Sequence, residues 1–235
     1  MTTDLPRSTN SNTAIRYVIQ RIAICFIFAL FLFVSAGTTD WLRGWIYFLY
    51  GLSLEICSLI IYAIIAPEML KQRGALHRGI KTYDKVFLVA WLLMVLITSI
   101  VAGFDAIRYQ WSSLPFFTVY IGSVLIAAAY VFGSWAMVEN EHFEQFVRIQ
   151  TDRKQQVVTT GPYRVVRHPG YAGTIVGALG VPLMLGSLWT FIPTVAVIVL
   201  FVIRTSLEDR TLYEELDGYV AYAKQTRYRL FPGIW

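Results

Sequence analysis

The chain has 235 residues, of which 56% are hydrophobic, 15% aromatic and only 15% charged. A soluble domain carries about 25% charged residues, and mean hydropathy here is +0.55, so the composition excludes an ordinary soluble domain and points to a membrane protein. The net charge of +5 is scattered between apolar spans and forms no continuous basic stripe, which argues for membrane topology and against a nucleic-acid partner.

In chain order, residues 1–15 open with MTTDLPRSTNSNTA. This stretch is polar, lacks the compact pattern of a cleaved secretory signal, and is expected to be a disordered cytosolic tail. Four apolar runs follow, at about 17–36, 45–66, 86–104 and 116–138, each near the ~20 residues a helix needs to cross the hydrocarbon core. Trp41, Trp45 and Trp111 lie near span ends, as interfacial aromatics do. Cys25 and Cys57 fall inside spans, where a thiol behaves as a small hydrophobe and no metal or disulfide framework follows. Residues 139–150, ENEHFEQFVRIQ, read as an extension of the fourth span or a short interfacial helix. Residues 171–204 are apolar but interrupted by GVPLMLGS, which predicts two helices, 171–186 and 188–204, joined by a tight turn. Residues 205–226 read as an amphipathic helix, and the chain ends in the aromatic YRLFPGIW.

Lysine and arginine counting sets the orientation. Of the 20 basic residues, only Arg43 and Arg108 fall in the loops on one side; the other eighteen lie at the termini and in the second and fourth loops. Both termini are therefore expected in the cytosol, together with the polar stretch 155–173.

Polar residues at membrane depth are costly and need partners. Glu55 lies halfway along the second span and is expected to bond a neighbouring helix, while Arg21 is expected to snorkel. His77 and His142 read as solvated surface, with no spacing that matches a metal site. Two further concentrations of polar residues remain. In QQVVTTGPYRVVRHPGYAG, residues 155–173, Pro162 and Pro169 forbid regular helix pairing, and the glycines permit close backbone approach to a ligand. Irregular backbone of this kind survives at membrane depth only when buried in protein or lining a cavity, and a helix N-terminus begins directly after it. In RTSLEDRTLYEEL, residues 204–216, Arg204, Glu208 and Glu215 share one helix face, with Asp209 about 100° away. Arg204 and Glu208 come where the span meets the interface, close in depth to the RHPGY stretch.

These two stretches in order, with GYVAYAKQTRYRLFPGIW after them, resemble the isoprenylcysteine carboxyl methyltransferase family and, more broadly, the membrane-embedded phospholipid-type methyltransferases. The resemblance covers about residues 139–235. It implies methyl transfer from S-adenosylmethionine, bound in a cytosol-facing pocket, to a lipophilic or small-molecule acceptor arriving from the bilayer. It further implies cofactor contacts at Gln155, Gln156, Val157, Val158, Tyr163, His168, Pro169, Gly170, Tyr171 and Glu208, with Arg204 toward the acceptor and no metal. This chain departs from the family in carrying Gln155, where eukaryotic members often have histidine, and a Glu-Asp pair where Glu-Glu is usual.

The fold expected is all-α, a polytopic membrane bundle of four long spans with a C-terminal helical hairpin and a cytosolic cofactor-binding helix. The chain divides into a tail (1–15), a four-span bundle (16–138) and a catalytic region (139–235). The membrane is the inner membrane in a prokaryote or the endoplasmic reticulum in a eukaryote. Two other readings compete. A membrane sterol or lipid reductase shares an acidic helix and a tyrosine-rich C-terminus but takes NADPH; the compact RHPGYAG pattern favours methyl transfer. A non-catalytic scaffold or transporter is disfavoured because the irregular backbone is confined to the C-terminal half, where a transporter repeats it in both halves.

Overall fold

The computed structural model describes residues 11–74 and 79–235. Those residues form eight α-helices and no strand: α1 (Ser11–Ala36), α2 (Leu42–Ile65), α3 (Pro67–Gly74), α4 (Thr82–Gly103), α5 (Thr118–Glu139), α6 (Pro169–Leu185), α7 (Phe191–Glu215) and α8 (Tyr219–Gln225). Five are long and apolar enough to span a membrane, while α6, at 17 residues, is shorter. The protein is thus a polytopic helix bundle, as expected. The four predicted spans correspond to α1, α2, α4 and α5, and α4 is prolonged by a π-turn at Phe104–Arg108.

Several local expectations are corrected. Helix α1 begins at Ser11, so residues 11–15 are helical and not tail; residues 1–10 and His77 lie outside the described residues. Residues 140–150 are not helical. The reason is local: the Asn140 side chain accepts a bond from the His142 N–H at 2.9 Å, and the Phe143 N–H bonds the Asn140 carbonyl at 2.9 Å, an Asx-type turn that competes with helix. The predicted break at 204 is absent. No proline or glycine intervenes between Pro193 and Gly218, and α7 runs on to Glu215 before Gly218, at φ 83°, turns the chain into α8.

Helices α5 and α6 share the most extensive interface. Lipid supplies no hydrophobic drive between helices, so close approach of small residues carries the packing. A Cβ on Gly122 would stand 2.6 Å from the Gly180 carbonyl, and one on Gly180 would stand 2.7 Å from that of Gly122. The α6–α7 turn uses Gly186 at φ 77°, with the Gly186 and Ser187 N–H groups both bonding the Pro182 carbonyl. Two polar knots pin this turn. Asp105, fully buried, accepts from the hydroxyls of Ser112 and Ser187 and from the Trp189 N–H; Arg43 reaches Thr118 and the Leu183 and Leu114 carbonyls. Exposed Trp45, Tyr109, Trp111 and Trp189 gather at this same end, where an aromatic belt belongs.

Candidate active site

The polar stretch is fastened from behind. The Arg167 and His168 N–H groups bond the Tyr228 and Arg229 carbonyls at 2.9 Å each, so the C-terminal tail runs beside the RHPGY turn. Asp209, with no exposed surface, accepts from Arg167 through both oxygens at 2.9 Å, from Tyr219 at 2.7 Å and from Arg229 at 2.7 Å, and its Oδ1 is 3.2 Å from His168 Nε2. Arg167 also donates to the Thr226 and Arg227 carbonyls. This carboxylate is the hub that joins α7, α8, the tail and the RHPGY turn. Arg167 is therefore a buried member of the framework, whereas Arg164 is exposed.

The 3-10 turn Gly161–Arg164 buries Tyr163, whose hydroxyl meets the Ala136 carbonyl and the Asn140 side chain. Its carbonyl accepts from Tyr222 at 2.8 Å. Burial pushes the Tyr222 phenol up to about 12 and raises that of Tyr163, so both serve as neutral donors.

Forward of the hub, the His168 and Tyr171 rings stack, with centroids 5.7 Å apart and planes 6° from parallel. The Tyr171 hydroxyl donates to Glu208 Oε2, leaving Glu208 Oε1 without a hydrogen-bond partner among the described residues. Arg204 lies over the Tyr171 ring at 5.0 Å and the Phe87 ring at 4.4 Å. Its Nη2 donates to the Gln145 carbonyl at 2.9 Å. Its Nε stands 2.9 Å from Asp84 Oδ1, at ion-pair distance but out of hydrogen-bond alignment. The other Asp84 oxygen accepts from the Val147 N–H at 2.8 Å. Asp84 and Arg204 thereby pair with each other and hold the loop 140–150.

That loop, expected as an extension of the fourth span or a short interfacial helix with a solvated His142, instead folds over the site. His142 is buried and bonded to Gln150, and Glu144 pairs with Arg148, which also binds Asp152. The latter bond holds the Asp152 carboxyl below its ordinary range. Beneath the loop is a cavity of about 90 Å³ lined by Gln155, Tyr163, His168, Pro169, Gly170, Tyr171, Arg204 and Glu208 together with loop residues. A second, largely apolar cavity of about 480 Å³ runs between the spanning helices and shares Phe143, Glu144, Gly170, Tyr171 and Arg204 with the first.

The fold thus brings most of the sequence-predicted residues to one place. Gln156 is exposed, and Val157 and Val158 pack on the Tyr163–Tyr219–Tyr222 cluster; none of the three lines the cavity. The α6 N-terminus offers less than expected, because the Tyr171 and Ala172 N–H groups are taken by the His168 carbonyl. Sequence reasoning missed Asp84, whose signal was an acid among lysines at the rim of a span, and missed the inward-facing loop, for which periodicity carried no signal. The donor set fits a polar cofactor chemically: a free carboxylate oxygen for hydroxyl or amino groups, beside flat rings. In volume, 90 Å³ falls short of the roughly 300 Å³ of small-molecule sites, so a whole nucleoside cofactor exceeds the space beneath loop 140–150 as it stands.

Residues 117–216 match the family model described as phospholipid methyltransferase. Among curated proteins, the chain is 34% identical over 70 residues to a "Probable protein-S-isoprenylcysteine O-methyltransferase" of Oryza sativa subsp. japonica, covering 29% of this chain and 37% of that one. It is 27% identical over 135 residues to "Protein-S-isoprenylcysteine O-methyltransferase A" of Arabidopsis thaliana, covering 56% of this chain and 62% of that one. The chain therefore spans just over a third of the rice relative's length and about three fifths of the Arabidopsis one. The match ends at 216 and begins with α5, so it contains the α5–α6 interface, the RHPGY turn and the part of α7 that carries Arg204, Glu208 and Asp209. The resemblance read from GPYRVVRHPGYAG and the acidic pair stands, and residues 117–216 of this chain are similar to the phospholipid methyltransferase family.

Proposed function

We propose that this protein is an integral membrane methyltransferase that uses S-adenosylmethionine and acts on a lipophilic acceptor bearing a carboxylate, of which an isoprenylcysteine-type carboxylate is one candidate. The observation that carries this reading is the junction of a polar cavity and an apolar intramembrane cavity at Tyr171 and Arg204. A water-soluble donor and a bilayer-borne acceptor need to meet at such a place.

When bound, S-adenosylmethionine supplies a methyl group already activated on a sulfonium. The protein's task is then alignment and exclusion of water. Glu208 Oε1 would accept from the cofactor's ribose hydroxyls or amino group, while Tyr171 fixes the other oxygen. His168, Pro169 and Gly170 form the floor, Tyr163 a wall and Gln155 the outer border, while Gln156, Val157 and Val158 follow it outside the cavity. Arg204, with its Nε out of alignment with Asp84, presents its planar fork to the acceptor's carboxylate. An ionised carboxylate is a competent nucleophile and needs no general base. Phe143 and Tyr171 close the junction to water.

The charge asymmetry of the loops supports both termini and the polar cavity facing the cytosol, in the inner membrane of a prokaryote or the endoplasmic reticulum of a eukaryote. The test is a labelled methyl-transfer assay on membrane extracts, with calorimetric titration of the purified protein by S-adenosylhomocysteine. Glu208→Ala should lose cofactor binding by at least tenfold, about 1.4 kcal/mol. Arg204→Ala should keep binding and lose turnover. Binding of NADPH in place of S-adenosylhomocysteine would overturn the reading.

A further inference from the structure

The intramembrane cavity is largely apolar, with Phe87, Trp91, Val197 and Phe201 of α4 and α7 among its lining, but it contains one concentrated polar cluster. There α1, α2 and α5 bring polar side chains together. Arg21 grips Glu55 with both a 2.8 Å bond from Nε and a 2.7 Å bond from Nη2, and the Tyr130 hydroxyl donates to the same carboxylate at 3.1 Å. Glu55 is 3% exposed. Toward the α3 end the seam continues through buried Ser58 and the 2.8 Å contact between the hydroxyls of Tyr62 and Ser134. Arg21 does not snorkel; it turns inward to a partner on another helix.

The pair is not closed. Arg21 Nη1 donates to nothing among the described residues, and the Arg21 side chain remains 36% exposed while lining the cavity. Guanidinium N–H groups facing plain hydrocarbon forfeit their hydrogen bonds in a medium that offers no replacement. A saturated or polyprenyl chain lying against this wall would impose that cost; an oxygen on the chain would remove it. We infer that the cavity is built for an acceptor whose lipophilic part carries a second, hydrogen-bond-accepting oxygen, a hydroxyl or carbonyl, held by Arg21 in the Arg21–Glu55–Tyr130 cluster and remote from the group at Arg204. Among lipophilic carboxylate acceptors this favours an oxygenated amphiphile over an isoprenylcysteine-type acceptor with a plain hydrocarbon tail. The inference rests on the proposed methyltransferase reading only for the word acceptor; the binding preference stands apart from it.

The experiment uses the whole protein in lipid nanodiscs and two probes, a long-chain saturated carboxylate and its mid-chain hydroxylated analogue. The wild-type protein should bind the hydroxylated probe about tenfold more tightly, a difference of about 1.4 kcal/mol. In Arg21→Met/Glu55→Leu the difference should vanish; apolar replacement of a whole buried ion pair is usually tolerated. A second readout needs no change to the pair. Cys25, one turn from Arg21, lines the cavity, whereas Cys57 is exposed. In a Cys57→Ala background, the hydroxylated probe should slow alkylation of Cys25 more than the saturated one. Equal affinities in the wild-type protein, a preference that persists in the folded double variant, or equal protection of Cys25 would each overturn the inference. A retained preference without labelled methyl transfer would sink the enzymatic reading alone.

Discussion

Glu208 and Asp209 are neighbours in the chain but face different tasks. Glu208 is half-buried and leaves one oxygen open to the polar cavity, while Asp209 is sealed and spends both oxygens on the framework. Asp209→Ala strands the buried Arg167 guanidinium, and removing one partner of a buried pair costs about 3–5 kcal/mol. The detergent-solubilised variant should therefore melt well below the wild-type protein, whereas Glu208→Ala should melt near it; the two melting temperatures check the assignment. From the sequence, Glu208 was legible because it shares a helical face with Arg204 and matches a family motif. Asp209 was not, because its partners Tyr219 and Arg229 come from beyond the α7 end, and a helical wheel contains no tertiary contacts. Asp84 was hidden for the same reason, with Arg204 lying 120 residues further along.

Among the elements, the apolar helices were the most legible, since length and hydropathy dictate them directly. The loop 140–150 was the least, because Phe143, Phe146 and Val147 have the spacing of an amphipathic helix and only the Asn140 turn cancels it. The loop is held by a few polar anchors: the Phe143 carbonyl on Arg73, the Gln145 carbonyl on Arg204, the Val147 N–H on Asp84, and the Lys81 N–H on the Val147 carbonyl. If it must move for a nucleoside cofactor to enter, amide exchange across 140–154 should slow on addition of S-adenosylhomocysteine, while exchange in α5 and α6 stays unchanged. Uniform exchange with and without ligand would show that the loop does not take part. The α5–α6 interface makes the opposite demand. Gly180→Ala places a methyl against the Gly122 carbonyl, which should cost about 1–3 kcal/mol by overpacking, read as a lowered melting temperature.

For the molecule as a whole, the distribution of lysine and arginine leaves Arg43 and Arg108 at the aromatic end with Trp45, Trp111 and Trp189, and the candidate site at the other. A protease-cleavable tag fused after Trp235 should accordingly be cut in inside-out vesicles and protected in right-side-out ones; the reverse pattern would overturn the orientation. Helix α7 ties this topology to the chemistry. It carries Val197 and Phe201 in the apolar cavity, Arg204 at the junction, Glu208 in the polar cavity and Asp209 in the framework. The offset between Arg204 and Glu208 is therefore set by about one turn of a single rod, about 6 Å for four residues, and by no loop or domain hinge. A change in bilayer thickness that tilts α7 carries both half-sites with it, so their spacing is preserved while their depth in the membrane shifts.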